Sequence, residues 1–210
     1  VLLVREWADR VRRHAGVEHA ELQPYGSTLL FALASPDYLL VGQLGDGDVL
    51  LVDAAHQVAR PIAPDPSNFA DETTSLCLNE AWTAMRVRAT PAPDAEALLL
   101  LSTDGYSKSY ATDAVFELIG PDYLDMFREH GPVGVEQQLR EILEAVSAGG
   151  SGDDIALGML YWAPSVDAAT SQEDSAPAAI PGEDDARGSV AVPTGDGASS
   201  IAAAVREKGE

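Results

Sequence analysis

Three short turns carry the aspartates that could do chemistry in this chain: Leu44-Gly45-Asp46-Gly47-Asp48, Ser102-Thr103-Asp104-Gly105 and Gly150-Ser151-Gly152-Asp153-Asp154-Ile155. Each follows or precedes a stretch that reads as a buried strand. Carboxylates gathered at one end of a sheet repel one another unless cations sit between them. Ligation by aspartate oxygens alone points to hard ions such as Mg²⁺ or Mn²⁺. Zinc is disfavoured, because His14, His19, His56 and His130 are scattered without ligand spacing. Cys77 has no catalytic partner in the sequence and reads as a small core residue. Other motifs fail on spacing. Gly42, Gly45 and Gly47 do not make G-x-G-x-x-G, and no helix is expected after them. Asp46-x-Asp48 opens like a calcium loop but continues with Leu50 and Leu51 where oxygen ligands and glycine are needed. The competing reading of each Asp-Gly step is a plain turn after a strand.

The element that must hold Asp104 is the run Leu98-Leu99-Leu100-Leu101, which changes from wholly apolar to polar in one step. Four leucines without polar alternation suit a strand buried on both faces. Ser-Thr-Asp-Gly ends it and sets the aspartate on the rim of a rigid element. Upstream, residues 2 to 15 form an amphipathic helix with Leu3, Trp7 and Val11 as its stripe and Trp7 as a core anchor. Strands follow over Thr28–Ala34, Tyr38–Leu44 and Val49–Asp53, joined by Ser35-Pro36-Asp37 and Gly45-Asp46-Gly47-Asp48 as hairpin connections. One further short strand is expected within Ala54–Arg60, and a proline-marked loop extends to about Thr74. Trp82–Thr90 alternates as a strand. After the central Asp-Gly, Asp113 caps a short helix through Ile119, and Gly120-Pro121 restarts another with Tyr123, Leu124 and Phe127 on one face. Val135, Leu139, Ile142, Leu143 and Val146 stripe a third, which Ala148-Gly149-Gly150 ends. Ile155–Trp162 is the last strand.

The chain has 210 residues, 46% of them hydrophobic, enough for one domain with a proper core. That domain covers 1–162. From 163 to 210 the composition becomes Ala, Pro, Ser, Gly, Asp and Glu, which cannot bury enough surface to offset its ordering entropy, so a disordered acidic tail is expected. A formal net charge of −21 repels phosphate backbones and anionic lipid, which excludes nucleic acid and membrane surfaces as natural partners. No apolar run approaches the roughly 20 residues of a membrane span, no signal peptide is visible, and a single cysteine fits a reducing compartment. A cytoplasmic location is expected.

With these three turns in this order, the chain resembles the metal-dependent protein phosphatase family, protein phosphatase 2C, in its bacterial branch. The residues that carry the likeness are Tyr25-Gly26-Ser27-Thr28-Leu29-Leu30, Gln43-Leu44-Gly45-Asp46-Gly47-Asp48, Glu72-Thr73-Thr74-Ser75-Leu76-Cys77, Leu100-Leu101-Ser102-Thr103-Asp104-Gly105-Tyr106 and Gly152-Asp153-Asp154-Ile155. The resemblance implies an α+β fold of two packed antiparallel sheets flanked by helices, an αββα sandwich with a binuclear Mn²⁺ or Mg²⁺ site at one end. It implies Asp104 and Asp153 as ligands, Asp46 facing a third, weaker metal position, and hydrolysis of phosphoserine or phosphothreonine by metal-activated water. A phosphoprotein substrate and an opposing Ser/Thr kinase come with that activity. Asp154 stands where many members carry Asn, and Lys108 where many carry another acidic ligand for the third metal.

The larger departure is an absence. Members open with a strand pair bearing a phosphate-binding arginine, an Asn-Glu-Asp segment and an Asp-Gly-x-Gly-Gly turn whose Asp bridges both metals, and this stretch of sequence holds none of them. Asn79-Glu80 is not followed by Asp. The expectation is a phosphatase domain incomplete at the amino terminus and inactive alone, with exposed apolar edges along Thr28–Ala34 and Ile155–Trp162. Two alternatives stand beside it: a non-catalytic phosphatase-like regulatory or interaction module, and an acidic domain whose Asp-Gly turns are only turns.

Overall fold

A computed structural model describes residues 1–16, 21–63 and 74–163. The expected tail, His19 and most of the proline-marked loop lie outside the described residues. In chain order the elements are α1 (Leu2–Ala15), β1 (Leu29–Ala34), β2 (Tyr38–Leu44), β3 (Asp48–Asp53), β4 (Val58–Ala59), β5 (Arg86–Pro91), β6 (Ala97–Ser102), α2 (Asp104–Ser107), α3 (Asp113–Glu117), α4 (Ile119–Gly149) and β7 (Leu157–Trp162).

All strand pairs are antiparallel and fall into two sheets, ordered β1-β2-β5 and β4-β3-β6-β7. The leucine run lies between β3 and β7, so both its edges are paired. Leu98 and Leu100 point into a core shared with Tyr106, Phe116, Tyr123 and Val146, while Leu99 points into the core between the sheets with Leu39, Val41 and Val49. This is the period of two expected of a central strand. A third cluster of Val4, Leu44, Leu76 and Ala81, flanked by Trp7 and Trp82, seats α1 against the end of the first sheet.

Several local expectations are corrected. The buried stripe of α1 is Val4 and Ala8 with Trp7 half-buried beside them, and Leu3 is exposed. A stripe through positions 4, 7, 8 and 11 follows the helical period more closely than a strict every-fourth row. Ser35-Pro36-Asp37 closes a hairpin, but the turn from Gly45 to Asp48 does not: β2 and β3 belong to different sheets, so that turn crosses between them. Trp82 lies in a single 3-10 turn, Ala81–Thr83, and β5 begins only at Arg86. The cap of α3 is Thr112, whose Oγ1 accepts from the Val115 N–H at 3.3 Å, and that helix ends at Glu117. Helix α4 already begins at Ile119. It is broken once, at Gly131 (φ 67, ψ 174) followed by Pro132, which separates the Phe127 half from the Val135 half. Cys77 is half-buried, with its Sγ 3.3 Å from Ser75 Oγ.

The edges expected to be bare are strands β1 and β7, each at the border of its sheet. Leu33 and Leu160 are exposed on them. A cleft of about 580 Å³ opens between the two edges, lined by Leu30, Phe31 and Ala32 on one side and Leu157, Met159 and Leu160 on the other, with Thr103 among its walls.

The helical side of the second sheet holds a tyrosine cluster. Tyr106 and Tyr123 are fully buried with their hydroxyls 2.9 Å apart, and Tyr110 packs its ring 5.8 Å from that of Tyr106. Burial pushes the Tyr110 hydroxyl up to about 12 from its ordinary 10.0. A folded-state value raised in this way leaves stability untouched below pH 10 and removes it between about 10 and 12, where only the unfolded chain ionises. Alkaline unfolding followed by circular dichroism is therefore expected to steepen above pH 10. Tyr110→Phe should make that fall shallower, and an unchanged slope would mean that Tyr110 titrates normally.

Candidate functional site

Each aspartate turn is fixed by its own backbone chemistry. In the first, Gly45 sits at φ +101, a conformation glycine alone adopts without strain, and its N–H donates to Thr74 Oγ1 at 3.0 Å. The buried Gln43 amide reaches back into the same turn, donating to the carbonyls of Gly45 and Gly47. A side chain on Gly47 would lie 2.6 Å from the Ser102 carbonyl, so this turn packs directly on the end of β6. Asp48, which closes it, is clamped by Arg60, whose guanidinium also reaches Glu117 at 2.8 Å.

The second turn starts where β6 stops. Thr103 precedes α2, and its N–H donates to the Ala156 carbonyl at 3.0 Å while its Oγ1 accepts the Ala156 N–H at 2.9 Å. The third turn thus hangs on the second. A Cβ on Gly105 would meet the Asp154 carbonyl at 2.7 Å and Asp153 Cβ at 3.2 Å. The Gly105 carbonyl accepts from both Ser109 and Ser151 hydroxyls at 2.8 Å, and Ser151 Oγ in turn accepts the Asp153 N–H at 3.2 Å. Asp153 Oδ1 accepts the Asp154 N–H at 2.9 Å, so Asp154 belongs to the scaffold of the turn. The serine pair was not singled out by sequence reasoning. The available signal was Ser109 four residues after Gly105, the helical spacing at which a hydroxyl reaches a carbonyl.

These connections bring Asp46, Asp104 and Asp153 to one rim, with Lys108 among them. The Lys108 ammonium pairs with Asp104 Oδ2 and feels the charges of Asp46 and Asp153. Burial works against the Asp104 carboxylate, but Lys108, the nearby Asp46 carboxyl and the Gly105 N–H together hold it below the usual range. A family model described as protein phosphatase 2C matches residues 2–144. The chain belongs to that family.

No curated protein matches the sequence of this phosphatase 2C domain. Solved structures similar to it include a variant of a bacterial serine phosphatase, 12% identical with a TM-score of 0.50, covering 67% of this chain and 60% of that one. The catalytic domain of the serine/threonine phosphatase PstP, in complex with 2 manganese ions, is 17% identical with a TM-score of 0.45 over 64% of this chain and 57% of its own. PppA of Pseudomonas aeruginosa is 18% identical with a TM-score of 0.49 over 76% of this chain and 67% of its own. The serine phosphatase variant shares the fold of two antiparallel sheets with flanking helices. The chain spans little more than half of the first bacterial phosphatase chain it matches, 54%.

The rim of this phosphatase 2C domain presents carboxylate oxygens, a donor type that suits hard cations. Among the described residues, no group of three or more His, Cys, Asp or Glu side chains is placed to hold a metal ion. Asp104, Asp153 and Asp46 are oxygen donors gathered around a lysine. Among the described residues, no helix is long and apolar enough to cross a membrane.

Proposed function

We propose that this is part of a cytoplasmic protein phosphatase acting on phosphoserine or phosphothreonine in proteins, opposite a Ser/Thr kinase, with Mn²⁺ or Mg²⁺ as its cation. The observation that carries this reading is the convergence of Asp46, Asp104 and Asp153, from three separate turns, on one rim of a phosphatase 2C domain. Asp104 and Asp153 would hold the cation together with a bridging carboxylate that residues 1–210 do not contain, and Asp46 would face a weaker position. When bound, the cations supply an activated water and neutralise charge on the phosphoryl oxygens. What the chain itself contributes is placement. Strand β6 and the Ser109–Ser151 clamp hold Asp104 and Asp153 at a fixed spacing, so little reorganisation is left for the moment of reaction.

The test is phosphate release from a phosphothreonine peptide with Mn²⁺. The 210-residue chain alone is expected to match its Asp104→Asn variant, at background. The same chain expressed with an in-frame leader carrying Asn-Glu-Asp and Asp-Gly-x-Gly-Gly is expected to turn over. Asp104→Asn should then cost more than the roughly 10–100-fold lost when only a metal's outer-shell partner is removed. An extended protein that stays inactive, or whose activity survives Asp104→Asn, would sink the phosphatase reading.

A further inference from the structure

Lys108 lies four residues after Asp104 and just past the end of α2, with its N–H donating to the Asp104 carbonyl at 2.9 Å. The α2 turn therefore folds the lysine side chain back over the aspartate that starts it. The Asp104 side chain is 25% exposed and that of Lys108 61%, so the pair sits at the mouth of the rim, half in water. The same ammonium acts electrostatically on Asp46 and Asp153. Three carboxylates brought together by three different turns would repel one another strongly, and the Lys108 ammonium stands among them.

We infer that Lys108 is a built-in counter-cation: its ammonium takes, among Asp46, Asp104 and Asp153, the place that a divalent ion would otherwise hold. This rests on the reading of the rim as a cation site. An entering Mn²⁺ must displace the ammonium or stand beside a like charge, and it also loses Asp104 Oδ2 to the ion pair. The ammonium offsets one of the three negative charges without metal, and the rim binds divalent cations weakly until the lysine is removed. The Lys108 side chain is 61% exposed, so its substitution removes little packing.

The experiment is a Mn²⁺ titration of the full 210-residue chain, reading free Mn²⁺ by electron paramagnetic resonance, with circular dichroism confirming that each variant is folded. The wild type and Lys108→Arg, which keeps the charge, are expected to bind weakly and alike. Lys108→Gln should tighten binding by at least ~10-fold, the effect of removing one like charge a few ångströms from a divalent ion. Lys108→Asp should tighten it further, and adding Asp104→Asn should abolish both gains. Equal affinity in wild type, Lys108→Gln and Lys108→Asp overturns the inference. If that common affinity is high, the rim is a metal site indifferent to Lys108. If none of the proteins binds, the placement of a cation at this rim falls with it.

Discussion

Arg60→Ala is expected to destabilise the domain by about 3 kcal/mol, the low end of what is lost when one partner of a buried ion pair is removed. The guanidinium is 14% exposed. It bridges Asp48, 13% exposed, at 2.5 Å and Glu117, 36% exposed, at 2.8 Å, with its guanidinium carbon 5.8 Å from the centroid of the Phe116 ring. Deleting it leaves a carboxylate at the start of β3 without its counter-charge and uncovers part of an aromatic core. Because Glu117 is more than a third exposed, water recovers part of the loss, which is why the low end applies. Arg60→Lys keeps the charge but not the fork that reaches two carboxylates at once, and should cost roughly 1–2 kcal/mol. Urea unfolding at neutral pH distinguishes them. A loss below 1 kcal/mol in Arg60→Ala would mean that the bridge behaves as a surface pair. Asp48 closes the turn that carries Asp46, so the same variant should loosen that aspartate even in the fraction that stays folded.

Gly105→Val should cost on the order of 2–3 kcal/mol through overpacking and should separate Asp104 from Asp153. The first side-chain carbon would lie 2.7 Å from a backbone oxygen of the 151–154 turn, and backbone cannot swing aside as a long side chain can. That turn is also tied to the Gly105 carbonyl through Ser151, so moving it breaks the clamp. Two glycines nearby serve as controls. Gly158 has open space around it and an ordinary φ, so Gly158→Ala should be neutral. Gly152 has open space but φ +71, so Gly152→Ala should lose about 1 kcal/mol from backbone strain alone. Thermal midpoints of the three variants order the effects, and a Gly105→Val protein as stable as Gly158→Ala would show that the turn is free to move.

The strand at Leu98–Leu101 and the aspartate turn after it were legible because burial on both faces leaves no room for polar alternation, and the change to Ser-Thr-Asp-Gly is abrupt. The amphipathic helices declared themselves through their stripes for the same local reason. The crossing from β2 to β3 was not legible: periodicity within Tyr38–Leu44 says how a strand is buried and nothing about which strand it pairs with. Thr112 was missed as a cap because Asp113, an equally good capper, stands beside it. Arg60 reaches Glu117, 57 positions away, and Ser151 reaches the Gly105 carbonyl, 46 positions away, relations that no local window contains; of the serine pair only Ser109, four residues after Gly105, had a local signal. The three candidate aspartates could be named from their turns, but that they share a rim with Lys108 is a fact of three dimensions.

Strand β6 has a consequence that reaches beyond stability. Asp104 lies two residues past its last residue, Ser102, the Asp46 turn packs on the Ser102 carbonyl, and the Asp153 turn is bonded to Thr103 and Gly105 just past its end. In an engineer's terms, one reference edge sets the position of all three carboxylates, so their placement errors do not accumulate from part to part. For the history of such a chain this means epistasis: a change in Leu98 or Leu100, far from the rim, shifts the three aspartates as a set. A later substitution that repairs one of them repairs its companions as well.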